Sequence, residues 1–182
     1  MSGKVVLTYF NGRGKMESIR WLLAVAGVEF EEVNMTKHEE YVKLLSDGAL
    51  MIDMYAEGVR DLMEMIMMLP FISPDAKKTK LEDIERKATS RYIPVFEKAL
   101  ASSQYLVGNQ LSCADVQLLE TTLMLEEKFP TILSKFPVVK AFQGRMKSLP
   151  AIQKFLQPGS KRKPQPDDVY VKTVYEVFNF KH

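Results

Sequence analysis

The hydrophobic pattern of the chain changes period twice within its first 35 residues. Val5-Val6-Leu7-Thr8-Tyr9 is an apolar run that reads as a strand ending in an aromatic hydroxyl. Asn11-Gly12 and Gly14 then break it. From Met16 onward Ile19, Leu22, Leu23 and Ala26 recur at helical spacing, and Gly27 sits where a helix stops. Residues 29–35 read as a second strand, which predicts a β-α-β start with parallel strands and a right-handed crossover. Residues 37–45 form a charged helical piece that Ser46-Asp47-Gly48 is expected to end.

From Leu50 the strand signals vanish. Residues 50–69 read as one long helix rich in Met and Leu, stopped by Pro70; a second helix starts at Pro74 and continues to about Leu100, bent by Pro94. Ser112, with Asp115 three residues on, is a capping-box variant that opens a helix over residues 116–127. Further helices are predicted over 138–149 and 151–155. A linker runs from Pro158 to Pro164, and Asp167-Asp168 caps a last helix over 169–178. The fold class is therefore α/β plus all-α: residues 1–50 as a small β-α-β part, residues 51–182 as a helical domain. Two strands are too few for an independently stable sheet, and their outer edge is open to pairing unless the helical body covers it.

Composition changes this picture little. At 46% hydrophobic and 26% charged the chain is expected to be globular, and a net charge of +2 argues for neither nucleic acid nor membrane binding. With Cys113 as the one cysteine no intrachain disulfide can form, and its place after a helix cap suggests a buried spectator. No apolar run reaches membrane-spanning length and no h-region precedes the first strand, so a cytoplasmic location is expected. His38 and His182 are isolated and no zinc spacing exists, so no metal is expected. The methionines at 51, 54, 63, 65, 67 and 68 are expected in the core, and Lys161-Arg162-Lys163 as a solvated linker.

The candidate chemistry lies at the first turn. In an α/β unit ligands gather at the carboxyl ends of strands and at helix N-termini. Tyr9, Arg13 and Lys15 therefore sit where an anionic ligand is expected. On pattern alone the alternative stands beside it: Tyr9 ends a strand and the basic residues solvate a turn.

The stretch from Tyr9 through Gly12, Arg13 and Lys15 to Arg20-Trp21 resembles the first strand and helix of the alpha class of cytosolic glutathione S-transferases. Ile52-Asp53-Met54-Tyr55-Ala56-Glu57-Gly58, Ser90-Arg91-Tyr92-Ile93-Pro94 and Tyr105-Leu106-Val107-Gly108-Asn109 through Ser112 and Asp115 are similar to its helical domain. Val169-Tyr170-Val171-Lys172-Thr173-Val174-Tyr175 is closest to the subclass that favours 4-hydroxyalkenals. The resemblance implies an incomplete thioredoxin-like part followed by the family's helical domain. Leu50 runs directly into Met51, so about forty residues are absent by comparison with the family. In the family that segment carries backbone contacts to the cysteinyl unit of glutathione, a Gln-Thr pair for its γ-glutamyl carboxylate, and the aromatic key of the dimer.

By the same resemblance Tyr9 donates a hydrogen bond to the sulfur of glutathione, the co-substrate, with Lys15 as the nearby cation where Arg is usual. A free thiol has a pKa of about 8.5; lowering it by about two units takes roughly 2.7 kcal/mol of preferential stabilisation of the thiolate. The position aligned with the cation for the glycyl carboxylate is Leu45, with Lys43 the nearest basic residue. Asp61 and Arg91 match contacts made to glutathione across the dimer interface, or else a solvated helix face. Tyr170 matches the residue that polarises an alkenal carbonyl, or else packs the last helix. Phe10, Gly12, Met68, Val174 and Phe178 are placed on the hydrophobic substrate wall. The implied function is conjugation of glutathione to small hydrophobic electrophiles, reduced or lost in this shortened chain. The other reading is a non-catalytic protein that binds apolar ligands or heterodimerises. The family forms homodimers or heterodimers, which absence of the aromatic key argues against here.

Overall fold

The computed structural model describes residues 4–13, 16–45 and 48–179. The chain falls into two compact units, Met1–Leu50 and Met51–His182. In the first, β1 (Val5–Tyr9) and β2 (Phe30–Asn34) pair in parallel, with Val5 opposite Phe30 and Tyr9 opposite Asn34. They are joined through α1 (Met16–Val25), and α2 (His38–Leu45) follows. The chain leaves α1 through Gly27 at φ 65°, where the Gly27 N–H reaches the Ala24 carbonyl and the Val28 N–H reaches that of Leu23. This is a Schellman ending, and its left-handed residue favours glycine. Glu40 closes the start of α2 by accepting the Thr36 and Lys37 N–H groups at 2.7 and 3.1 Å. These backbone donors hold its carboxyl below the usual range. Among the described residues of this unit Leu7, at 8% exposure, is the one buried apolar side chain.

The second unit has a full core. Val59, Leu62 and Ile66 of α3 (Gly48–Met67) recur at helical spacing. They join Ile84 of α4 (Pro74–Lys87), Phe96 of α5 (Ile93–Leu100), Leu118 and Leu125 of α6 (Cys113–Lys128), and Phe142 and Met146 of α7 (Pro137–Ser148). Short α8 (Pro150–Phe155) and α9 (Asp168–Val177) complete the described helices, and an unpredicted 3-10 turn, Ile132–Lys135, precedes α7.

Several expectations are corrected. Gly48 opens α3 instead of ending the previous helix; Ser46 and Asp47 lie outside the described residues. The long helix ends at Met67, and Pro70 sits inside a 3-10 turn, Leu69–Phe71. Pro94 does not merely bend a helix. A π-helical turn, Ala88–Tyr92, separates α4 from α5, and the Ile93 N–H reaches back to the Ala88 carbonyl. A proline cannot donate and its ring crowds the carbonyl four residues earlier, so the wider turn ahead of it removes the conflict. The methionines at 51, 54, 63, 65, 67 and 68 are not buried: Met54, Met67 and Met68 are exposed and Met51, Met63 and Met65 half-buried, with Met65 packed against the edge of the core.

Two carboxylates satisfy helix starts. Asp115, fully buried, accepts the Ser112 N–H at 2.8 Å, the Ser112 hydroxyl at 2.7 Å and the Leu106 N–H at 2.8 Å. Glu97 of α5 accepts the Val138 and Val139 N–H groups at 2.9 and 2.8 Å, at the start of α7. These are the orphan donors that every helix N-terminus presents. Asp115→Ala strands buried donors from two segments and should destabilise the helical unit by about 2–4 kcal/mol. Ser112→Ala should cost about 1 kcal/mol. Urea unfolding followed by helical circular dichroism checks both.

Candidate functional site

The turn after β1 is built around one guanidinium. Tyr9 ends the strand half-buried, its ring 5.5 Å from that of Phe10, and its carbonyl accepts the Met35 N–H at 2.8 Å. The chain then turns sharply, with the Gly12 N–H donating to the Phe10 carbonyl at 2.7 Å. Arg20 reaches back from α1: its Nη1 donates to the Gly12 carbonyl at 3.0 Å and to Glu17 at 2.9 Å, while its Nε donates to Glu32 of β2 at 2.6 Å. One side chain thereby ties strand, turn and helix together. Glu17 also accepts the Trp21 indole N–H at 3.0 Å. That bond first, and Arg20 second, hold the Glu17 carboxyl below its usual range; Glu32 in turn raises the Arg20 pKa. The sequence reading gave Arg20 no role. Its signal was the spacing of Glu17, Arg20 and Trp21, which puts both donors within one turn of the carboxylate.

The other predicted residues of the first unit scatter around this turn. Phe10 and Gly12 are exposed, and Lys43 lies on the exposed face of the last turn of α2. Lys15 lies outside the described residues. Phe10, Met35, Thr36, Lys37, His38 and Tyr41 surround an open recess of about 300 Å³ beside the carboxyl ends of the strands.

Within the second unit a larger cavity, about 550 Å³, opens between the end of α3, the start of α4, the end of α6 and the approach to α9. Its apolar wall includes Ile66, Leu69, Leu81, Met124 and Val171, with Tyr170 among the lining residues. The Tyr170 ring lies 6.1 Å from that of Phe71, which also meets Tyr175 at 6.0 Å. Asp167 sets the start of α9 by accepting the Tyr170 N–H at 2.8 Å. The structure thus brings Tyr170 onto the cavity with Met67, whereas Met68, Val174 and Phe178 do not line it. Val174 is half-buried on α9, and Phe178 is exposed just past its end.

The approach to α9 is pinned rather than solvated throughout. Arg162 is half-buried and pairs with Glu127 at 3.5 Å and Glu120 at 3.6 Å, and Lys128 donates to Gln165 at 2.6 Å. This corrects the reading of Lys161-Arg162-Lys163 as a plain linker: acidic groups on α6 draw its middle residue inward. Cys113 is exposed as the first residue of α6, not buried. Asp61 is exposed on α3, and Arg91 is exposed in the π turn with its guanidinium carbon 5.2 Å from the centroid of the Tyr92 ring. Arg91 also borders a shallow apolar recess of about 270 Å³ formed with Met51, Met54, Tyr55, Tyr92, Val95 and Phe96. His182 lies outside the described residues. Among the described residues no group of His, Cys, Asp and Glu is arranged to hold a metal, and no helix is long and apolar enough to cross a membrane.

Comparison with known proteins assigns both units. A family model of the glutathione S-transferase N-terminal domain matches residues 5–50, and one of the C-terminal domain matches residues 60–159. Glutathione S-transferase 3 of Gallus gallus is 46% identical over 219 positions, covering 97% of this chain and 96% of the relative. Glutathione S-transferase A4 of Mus musculus is 45% identical over 222 positions, covering 99% and 100%. Since the chain has 182 residues, roughly forty positions of each alignment are filled by the relative alone. Among solved structures, monomeric Na-GST-3, a glutathione S-transferase from Necator americanus, superposes with a TM-score of 0.56 at 23% identity. That match covers 87% of this chain and 98% of the other, and it supports the fold.

The clamp makes a titration prediction. Because the folded-state pKa of Glu17 is lowered, its contribution is present above the ordinary carboxylate range and is lost as pH falls through the lowered value. Trp21→Phe should move the Glu17 titration upward, and Arg20→Met should move it up as well while speeding amide exchange at Gly12. Carboxyl-detected NMR titration and hydrogen exchange read these changes.

Proposed function

Since the chain belongs to the alpha-class glutathione S-transferases, we propose that it adds the glutathione thiolate to small apolar electrophiles in the cytoplasm, 4-hydroxyalkenals among them. The observation that carries this reading is the position of Tyr9: at the carboxyl end of β1, half-exposed, one turn ahead of the N-terminus of α1. A hydroxyl there can donate to a sulfur anion seated over the turn that Arg20 holds.

In the proposed reaction the thiol gives its proton to solvent and Tyr9 donates its hydrogen bond to the remaining thiolate. Lys15 supplies positive charge and Lys43 receives the glycyl carboxylate. Asp61 and Arg91 serve glutathione held by a partner subunit. The sulfur attacks the β-carbon of the alkenal, a C–S bond forms, and the π electrons move to the carbonyl oxygen. Tyr170 donates to that oxygen as its charge develops, and solvent then protonates the α-carbon. The resemblance assigns Phe10, Gly12, Met68, Val174 and Phe178 to the apolar chain of the substrate, although Met68, Val174 and Phe178 do not line the cavity that holds Tyr170. Support for the aldehyde class is the place of Tyr170 on a mostly apolar cavity.

The proposal includes a strong loss of rate. Roughly forty positions are filled by the relatives alone, and by the family resemblance they fall after residue 50. Without the contacts they supply, the sulfur is held less well in an attacking geometry. A second reading, a protein that binds apolar ligands or pairs with an intact relative without turnover, draws on the open apolar recess of Met54, Tyr55, Val95 and Phe96.

The test is conjugation of glutathione to a 4-hydroxyalkenal, run beside an intact alpha-class relative. We expect a rate at least tenfold below the relative yet above background, falling about 10- to 100-fold in Tyr9→Phe. Tyr170→Phe should slow the alkenal reaction and spare an electrophile that lacks a carbonyl. A rate equal to the relative's overturns the predicted loss; a rate indifferent to Tyr9→Phe removes Tyr9 from the chemistry. A folded protein with no Tyr9-dependent rate leaves the binding reading.

A further inference from the structure

The sheet of the first unit has two strands, and its two edges differ. β2 carries Glu31 and Glu32, and acidic side chains of that kind discourage pairing along an edge. β1 is Val-Val-Leu-Thr-Tyr, without charge or proline, and nothing in its sequence blunts the edge. The backbone direction is also set. The Tyr9 carbonyl accepts from Met35, so Val5, Leu7 and Tyr9 turn their polar groups toward β2. By strand alternation the N–H and C=O groups of Val6 and Thr8 point to the open side.

The helix above the sheet is bare on the same side. Arg20 faces β2 through Glu32, and Leu22 lies on roughly the opposite side of α1, toward β1. Trp21, Leu22 and Val25 are 69%, 68% and 88% exposed. Together they present on the order of 400 Å² of surface, the size of patch that marks protein contacts.

We propose that β1 pairs antiparallel with β1 of a second copy of this chain, about a two-fold axis at Leu7. In that register Val6 of each copy lies opposite Thr8 of the other and exchanges both N–H···O bonds with it. These are the groups that point outward. The sheet grows to four strands, past the three or more that independent stability needs. The axis stands perpendicular to the sheet, so both α1 helices lie on one face and their bare stripes approach each other. An extended peptide on the same edge would leave Trp21, Leu22 and Val25 uncovered, which is why a second copy fits better. The contact involves the first unit alone and is independent of the glutathione chemistry.

Sedimentation equilibrium of the full chain tests this. We expect twice the 20.8 kDa of the chain. Thr8→Pro removes an outward N–H while leaving the β1–β2 ladder intact, and should weaken association at least tenfold. Asn34→Pro, which removes an outward N–H from the other edge, should leave it within a factor of three. In a Cys113→Ser background, a mixture of Val6→Cys and Thr8→Cys chains should form a mixed disulfide, because opposed Cα atoms in such a pair lie about 5.5 Å apart. Either variant alone should not cross-link. The cross-link also decides the case in which Thr8→Pro unfolds the unit. A chain that stays monomeric at about 100 μM, a dimer insensitive to Thr8→Pro, or a dimer whose mixed disulfide fails to form overturns the proposal.

Discussion

A two-stranded parallel sheet with one helix over it encloses too little volume to exclude water from its side chains, and that shortage governs the first fifty residues. Among the described residues Leu7 is the buried apolar side chain there, while Trp21, Leu22 and Val25 of α1 stand exposed. Order at the β1–α1 turn comes instead from charge-assisted hydrogen bonds, with Arg20 shared among Gly12, Glu17 and Glu32. Such bonds are directional and hold a shape well, but at an exposed site water and salt weaken them. The end of β1 at Tyr9 therefore lies beside directional bonds and is poorly insulated from water.

The helical unit solves the opposite problem. Its apolar faces meet in one core, and the remaining difficulty is the polar backbone at helix ends placed within or beside that core. Asp115 and Glu97 answer it from a distance: each accepts N–H groups of a neighbouring segment as well as fixing where a helix begins. The π turn before Pro94 is a third adjustment of the same kind, a local change of hydrogen-bond spacing around a residue that cannot donate. The cavity bordered by the start of α9 takes Ile66 and Leu69 of its wall from the core, and Lys128 and Gln165, bonded to each other, stand among its lining residues.

Membership of the alpha-class transferases and the shortness of the first unit pull against each other. On the proposed reading the chain keeps the hydroxyl of Tyr9 for the glutathione sulfur, while roughly forty positions present in its relatives have no counterpart in it. A bound glutathione would therefore be less restricted, and restriction is where most of the advantage of such a site lies. The helical unit has its own core, so the cavity bordered by α9 does not share that weakness.

Much of this was readable from residue order. The switch from an apolar run to helical spacing gives β1 and α1, Ser112 and Asp115 give the start of α6, and the run from Tyr9 to Trp21 gives the family, because each signal lies within a few residues of chain. What depended on distant residues was not readable. Arg20 meets Glu32 across twelve residues, Glu97 meets Val138 across forty-one, and Arg162 meets Glu127 across thirty-five. The methionines from 51 to 68 looked like core by type, yet none of those six is buried, and Met65 packs against the core while still partly exposed. Sequence by itself determined the local elements and the family, since backbone preference and motif spacing are short-range. Only the tertiary structure decided which polar groups meet and which apolar ones stay bare, since that follows from how whole elements pack.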